Sequence, residues 1–168
     1  MSAFALSQIL ITIAILFDLA SFQFKDRRKI VGCLCFSGVL ISSHFVLLAQ
    51  WTAAGLMAIA TIRYFLSAFT TSKNIMYGFI LSAILVTFFT FSGAVSLLGL
   101  AGTIFQTTAS FNGNDKKLRQ LMMIGTSLWL LHNYLVGSPM AVLMEVVFIS
   151  SNLIGYYRFY IRCDKRYI

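Results

Sequence analysis

The chain has 168 residues, of which 59% are hydrophobic and 11% are charged, and its mean hydropathy is +0.85. A soluble domain carries about 25% charged residues, so this composition leaves too little polar surface to cover a water-soluble globule. Apolar runs of about 17 to 21 residues recur from end to end, and each is long enough to cross a hydrocarbon core of roughly 30 Å. We therefore predict an all-α, polytopic membrane protein without a soluble domain.

The net charge of +8 does not indicate nucleic-acid binding, because of where the basic residues lie. Of the 13 Lys and Arg residues, only Arg63 lies clearly outside the short gaps between apolar runs and the C-terminal tail. Membrane proteins keep such basic segments on the cytoplasmic side. The charge therefore indicates membrane topology, and we expect no nucleic-acid partner.

Seven transmembrane helices are predicted, at residues 4–24, 30–50, 51–69, 75–91, 95–111, 118–136 and 140–160. The first has no Lys or Arg before Lys25, so it lacks the basic flank of a cleaved signal peptide and is expected to be retained. The fourth is apolar on all sides, with Tyr77 as its one ionisable residue, which is typical of a lipid-facing helix. Seven crossings put the basic segments on one side, which predicts the N-terminus outside and the C-terminus in the cytoplasm.

The chain contains an internal repeat. Residues 20–28 (ASFQFKDRR) are echoed by residues 109–117 (ASFNGNDKK), and His44 is echoed by His132 with a slip of about one residue. Both copies hold three predicted helices and start on the same side, because the fourth helix between them adds one crossing. We predict two parallel three-helix bundles at 1–69 and 93–168, joined by a linker helix at 70–92.

This plan resembles the SWEET/SemiSWEET (PQ-loop) superfamily and, within it, the YgjV-type bacterial inner-membrane proteins. The residues that carry the resemblance are Ser21-Phe22-Gln23 with the basic loop after it, His44, and the run at 129–134 (WLLHNY). The Pro-Gln pair typical of the sugar transporters is absent, and Phe22-Gln23 and Phe111-Asn112 stand in its place. The resemblance implies two facing bundles that bind a small solute between them near mid-membrane.

Ionisable groups inside a bilayer are costly and are candidates for function. Five acidic, arginine or histidine side chains lie more than two residues from either end of a predicted helix: Asp18, His44, Arg63, His132 and Glu145. By helical rise, Asp18 and Arg63 lie at similar depth in one bundle, so we predict an ion pair, either structural or part of solute binding.

A second layer is predicted nearer the outer surface. His132 and Glu145 are expected to meet there and to gate or carry a proton, and His44 lies at the same depth without an acidic partner. The deeper layer, which we expect to contact the solute, comprises Asp18, Arg63, Gln106 and Asn152, and Trp129 is expected to bind the solute as an aromatic wall. Polar side chains also hold membrane helices together, so a packing role stays open for each of them.

The sequence contains none of the common enzyme motifs, such as HExxH, GxSxG or a phosphate-binding glycine loop, and we expect no enzyme, metal or cofactor. The predicted function is a transporter or facilitator for a small polar solute, bound between the two bundles and released by alternating access. The alternative is a non-transporting membrane scaffold or sensor with the same fold. The predicted partners are the lipid bilayer of a bacterial inner membrane and the solute, with the protein a monomer or a homodimer.

Overall fold

The computed structural model describes residues 2–21 and 27–161. These residues fold into seven α-helices and a short π-helical turn, which confirms the predicted number of helices and the all-α class. The helices are α1 (Ala3–Ser21), α2 (Arg27–Leu47), α3 (Trp51–Ser67), α4 (Lys73–Thr90), α5 (Ala94–Ser110), α6 (Asp115–Val136) and α7 (Pro139–Tyr156), and the π-helical turn spans Tyr157–Ile161.

Two helices begin three residues earlier than predicted, inside segments expected to be basic loops. Helix α2 begins at Arg27 and α6 at Asp115. Lys and Arg are good helix formers, so a basic segment can continue a helix beyond its apolar run. At α6 the start is fixed by Asn114, whose side chain accepts a hydrogen bond of 3.0 Å from the Lys117 amide. Residues 22–26 and 162–168, which hold parts of the predicted first helix, first basic loop and tail, lie outside the described residues.

The turns after α2 and α6 have the same geometry. Ala49 and Gly137 adopt left-handed backbone conformations with φ of 54° and 72°. After each, an amide donates to the carbonyl five residues back: Gln50 to Phe45 at 2.9 Å and Ser138 to Asn133 at 3.1 Å. This hydrogen bond is the one that closes a helix whose last turn ends in a left-handed residue.

Neighbouring helices follow chain order around a ring, with α4 outside it. Helix α2 packs between α1 and α3, and α6 packs between α5 and α7. The two groups meet along two seams, α3 against α5 and α1 against α7, while α4 lies on α3 and α5. Helix α4 exposes Phe88 and Phe89 by 76% and 79%, as expected of a helix that faces lipid.

Helices α1, α3, α5 and α7 begin at the same end of the ring. At one seam His44, near the end of α2, contacts Ser7 near the start of α1 and Ser138 before α7. At the other, Thr52 near the start of α3 contacts the end of α4 and the start of α5. We call the end where α2, α4 and α6 begin the basic end, and the other the opposite end.

Three helical segments in the described ranges are long and apolar enough to cross a membrane, namely Ala3–Ala20, Lys73–Thr90 and Pro139–Tyr156, and a shorter apolar helix spans Gly32–Leu47. The remaining helices carry more polar residues on their buried faces, including Gln106 of α5 and His132 of α6. The interior of the ring is therefore where the polar side chains gather.

Candidate functional site

A cavity of about 330 Å³ lies inside the ring, against α2, α3, α5, α6 and α7. Four of the predicted site residues line it: Gln106, Trp129, Glu145 and Asn152. The other lining residues are Leu34, Met57, Tyr64, Arg119, Met122, Thr126, Met144, Phe148 and Ser151. The remaining predicted residues, Asp18, His44, Arg63 and His132, are buried outside the cavity wall.

Trp129 forms an aromatic part of the cavity wall and is 2% exposed. Its ring lies 4.9 Å from that of His132 and 5.8 Å from that of Phe45. The indole fits because Gly102 faces it: a Cβ there would lie 2.8 Å from Trp129 Cδ1. Gly125 next to it has a similar role, since a Cβ there would lie 2.9 Å from the Gly102 carbonyl. The two glycines let α5 and α6 approach closely enough to fix the indole.

Glu145 lines the cavity and is held through Asn133 rather than by direct contact with His132. The Asn133 side-chain amide donates to Glu145 Oε1 at 3.3 Å, and its carbonyl oxygen lies 3.2 Å from His132 Nδ1. An amide oxygen only accepts, so His132 carries its hydrogen on Nδ1. The predicted proximity of His132 and Glu145 is thus realised with Asn133 between them.

Asp18 lies against α7 and near Glu145. It shares a small apolar pocket with Met144 and Phe148, which also line the cavity from its other side. Acidic side chains therefore lie on both sides of α7, with Glu145 on the side that faces the cavity and Asp18 on the other side.

The predicted ion pair between Asp18 and Arg63 is wrong. Arg63 Nη1 donates to Thr107 Oγ1 at 2.8 Å and to the Thr103 carbonyl at 3.4 Å, and Asp18 is not among the partners that Arg63 has in the described residues. The physical reason is the ring order. Helix α2 separates α1 from α3, so Arg63 of α3 faces α5 and Asp18 of α1 faces α7.

The opposite end of the ring is closed by buried hydrogen bonds at both seams. His44 Nδ1 donates to the Ser7 carbonyl at 2.8 Å, and Ser138 Oγ donates to His44 Nε2 at 3.2 Å. At the second seam Thr52 Oγ1 donates to the Thr90 carbonyl at 2.7 Å and lies 3.1 Å from Ser96 Oγ. The contacts of His44 with Ser138 and of Thr52 with Ser96 join the two groups, so they must break if this end is to open.

The cavity extends toward the basic end, where Arg119 and Asn152 contact each other. Arg119 Nη1 donates to Asn152 Oδ1 at 3.4 Å, and Asn152 Nδ2 donates to the Arg119 carbonyl at 3.3 Å. Ser151, also on the wall, is exposed. The lining thus reaches the surface at the basic end, whereas the buried His44 and Ser138 lie at the opposite end.

Comparison with known proteins identifies the family. The model of the Imp-YgjV family, described as a bacterial inner membrane protein, matches residues 5–162. The chain belongs to this family. It is also similar to the inner membrane protein YgjV of Escherichia coli strain K12, with 30% identity over 166 residues that cover 99% of this chain and 90% of that protein. No solved structure matches the chain.

Membership of this family confirms the prediction of a bacterial inner-membrane protein and the resemblance to the YgjV-type proteins. It also places the cavity within a membrane protein, where buried polar side chains carry a cost unless they are paired or used. In the described ranges, no three His, Cys, Asp or Glu side chains are grouped to hold a metal ion.

Sequence reasoning missed four polar residues of the cavity wall: Tyr64, Arg119, Thr126 and Ser151. Arg119 lies at the start of the helix predicted at 118–136, where its charge indicates only the cytoplasmic side and not a lining role. Thr126 lies three residues before Trp129, which puts both on one face of α6. That spacing was the available signal for Thr126.

Proposed function

We propose that this protein is a transporter or facilitator that binds a small polar solute in the cavity and releases it without chemical change. In this proposal α1–α3 and α5–α7 are the two parallel three-helix units of a SWEET-like arrangement, at 1–69 and 93–168, and α4 within 70–92 links them. The packing of α4 outside the ring supports this assignment, as do the matching turns at Ala49 and Gly137.

The observation that carries the proposal is a cavity inside an apolar membrane protein, with several polar side chains in a mostly apolar wall. Its volume of about 330 Å³ suits a small metabolite, and its wall includes Gln106, Glu145 and Asn152. A scaffold gains nothing from such a space, because unfilled volume and poorly paired polar groups both reduce stability. A solute site explains both.

The two ends of the ring support a mechanism of alternating access. The cavity lining reaches the surface at the basic end, and hydrogen bonds of His44 and Thr52 close the opposite end. With the N-terminus outside and the C-terminus in the cytoplasm, this is an inward-open state. Breaking the contacts between the two groups at the opposite end, while the two groups approach each other at the basic end, would expose the same cavity to the outside.

The experiment is solute uptake by proteoliposomes, after a thermal-shift screen of small polar metabolites has identified a ligand. A ligand that binds only the folded protein raises its melting temperature. Thr126→Phe fills the cavity and is expected to abolish both the shift and the uptake. Ser127→Phe is the matched control, because Ser127 is exposed on the next position of the same helix. Equal uptake by both variants, or no ligand in the screen, would favour the scaffold interpretation.

A further inference from the structure

We propose that the solute is a small organic cation, held with its positive charge at Glu145 and its apolar groups against the aromatic wall. This inference rests on the proposed function and specifies the chemical class of the solute. It follows from the charges, the rings and the thioethers that face the cavity.

Glu145 supplies the negative charge. It is the one acidic residue among the described residues of the wall, and it is only 4% exposed although it borders the cavity. In the described part of the chain, the Asn133 amide is its hydrogen-bond donor, and this bond goes to Oε1. A buried carboxylate normally binds two or more donors or a cation, so Oε2 is available for a ligand.

Asp18 strengthens the preference for a cation. Its side chain shares a small pocket with Met144, the residue before Glu145, so the two carboxyl groups lie near each other across α7. When both are ionised they repel each other in a medium of low dielectric constant, and a cation bound beside Glu145 relieves that repulsion.

The rest of the wall suits an alkylated ammonium group better than a highly hydrated ion. Trp129 and Phe148 present aromatic surface, and the faces of such rings attract cations. The Tyr64 ring, in contrast, already has the Arg63 guanidinium 4.7 Å from its centroid. Met57, Met122 and Met144 add polarizable thioethers. Gln106 and Asn152 offer amide groups that can bind a hydroxyl or carbonyl elsewhere on the solute.

The two nearby arginines do not provide an anion site at Glu145. Arg63 is fully buried, lies outside the cavity wall and directs Nη1 to Thr107 on the seam between α3 and α5. Arg119 is at the basic end and contacts Asn152, which lies about 10 Å from Glu145 by the rise of seven residues along α7. The acidic and basic groups are therefore at different ends of the cavity.

The test compares two probes that differ only in charge. Choline carries a trimethylammonium group, and 3,3-dimethylbutan-1-ol has the same shape without the charge. We expect choline to raise the melting temperature of the purified protein in a non-ionic detergent, and the alcohol to bind at least tenfold more weakly by calorimetric titration. Equal binding of the two probes would overturn the inference. This comparison uses the unmodified protein and needs no variant.

A variant then locates the charge. Glu145→Gln keeps the size of the side chain and is expected to weaken choline binding at least tenfold, to the level of the neutral alcohol. Ser150→Ala, at an exposed position of the same helix outside the cavity wall, is the control and should retain the affinity within a factor of three. Choline binding that survives Glu145→Gln would show that Glu145 is not the site.

Failure of the inference and failure of the proposed function give different results. Glycerol or succinate could raise the melting temperature and be taken up by proteoliposomes, while choline neither raises it nor is taken up. In that case the solute is not a cation and the transport function stands. If no probe of any charge binds, and Thr126→Phe gives the same melting temperatures and the same uptake as the unmodified protein, the transport function fails and the inference fails with it.

Discussion

Arg63 of α3 donates a hydrogen bond of 2.8 Å to Thr107 of α5, and this contact joins the two halves of the molecule. Thr107 corresponds in the second copy of the repeat to Asp18 in the first. The repeat equivalent of the Arg63–Thr107 seam is thus the seam between α7 and α1, where Asp18 lies. Polar residues at equivalent positions mark the two contacts between the halves rather than a contact inside one half.

Removing the hydroxyl of Thr107 should destabilise the protein. Thr107→Val keeps the shape of the side chain but takes an acceptor from a fully buried guanidinium, so we expect a loss of about 1–3 kcal/mol in the free energy of unfolding. Thr108→Val is the control, because the Thr108 hydroxyl bonds only to Ile104 of its own helix at 2.8 Å. Equal losses in the two variants, measured by reversible unfolding in mixed micelles, would show that the seam contact adds nothing.

The separation of Asp18 from Arg63 can be tested with a double-mutant cycle on these two residues. Asp18→Asn and Arg63→Leu should have additive effects on the free energy of unfolding, within about 0.5 kcal/mol, because the two side chains share no contact. If the two side chains formed a buried ion pair, the double variant would lose less stability than the sum of the losses in the two single variants. A coupling energy above about 1 kcal/mol in the double-mutant cycle would show that Asp18 and Arg63 do form an ion pair.

Sequence alone predicted how far along each helix a residue lies, and it failed where the answer depended on which helices touch. Apolar run lengths gave the seven helices, and helical rise placed His132 and Glu145 at one level, where Asn133 now bridges them. The same reasoning put Asp18 beside Arg63, because depth is an axial coordinate and does not identify the lateral neighbour. That neighbour is set by packing around the ring, which no local pattern in the sequence encodes.

Ala49 and Gly137 both adopt left-handed backbone conformations, so Ala49→Gly and Gly137→Ala should change the stability of the protein in opposite directions. Left-handed backbone costs a residue with a Cβ about 1 kcal/mol or more, and glycine avoids this cost. Ala49→Gly should therefore raise the free energy of unfolding by up to about 1 kcal/mol, and Gly137→Ala should lower it by about the same amount. Both positions are exposed, so packing changes little. A loss of stability in Ala49→Gly would contradict the assigned backbone conformation.

The close approach of α5 and α6 predicts that Gly102 does not tolerate a side chain. A Cβ at Gly102 would lie 2.8 Å from Trp129 Cδ1 and 3.1 Å from the Gly125 carbonyl, so Gly102→Ala should cost about 1–3 kcal/mol and displace the indole. Gly78 of α4 is the control, since nothing lies within 4 Å of its Cβ position. Gly78→Ala should be neutral or stabilising, and a shift of the tryptophan emission should appear in Gly102→Ala only.

The closed opposite end predicts that Ser138→Ala makes the cavity more accessible from that side. The change removes the hydrogen bond to His44 and the 3.4 Å hydrogen bond that Gln8 Nε2 donates to Ser138 Oγ. Their loss should cost at least about 0.5–1.5 kcal/mol, which corresponds to at least a roughly 2- to 12-fold shift toward the open state. Helix α7 keeps its start, because the Ser138 side chain makes no capping hydrogen bond. The measurement is the rate at which an impermeant maleimide applied outside labels Thr126→Cys in a protein otherwise free of cysteine.

The control for this measurement is Ser127→Ala, whose hydroxyl bonds within its own helix to the Met123 carbonyl at 2.9 Å. It should leave the labelling rate unchanged. An equal rate in Ser138→Ala and the unmodified protein would mean that the contact between His44 and Ser138 does not hold the opposite end shut.

Protons and the proposed cation should compete for Glu145. The carboxyl group binds a cation only after it has lost its proton, so choline affinity and uptake should rise as the pH rises, by up to tenfold per pH unit while Glu145 is mostly protonated. The other ionisable groups around the site are Asp18 on α1, Tyr64 and Arg63 on α3, and His132 and Arg119 on α6. Protonation of Asp18 or His132 acts in the same direction but from outside the cavity wall, so its effect should be smaller.

Two variants separate these groups. Glu145→Gln should abolish the pH dependence of uptake together with most of the binding, because it removes the group for which proton and cation compete. His132→Gln should keep the dependence, since His132 reaches Glu145 only through Asn133. If uptake by Glu145→Gln keeps the full pH dependence, the competing proton binds elsewhere. If His132→Gln alone loses it, His132 is the coupling group and Glu145 is not.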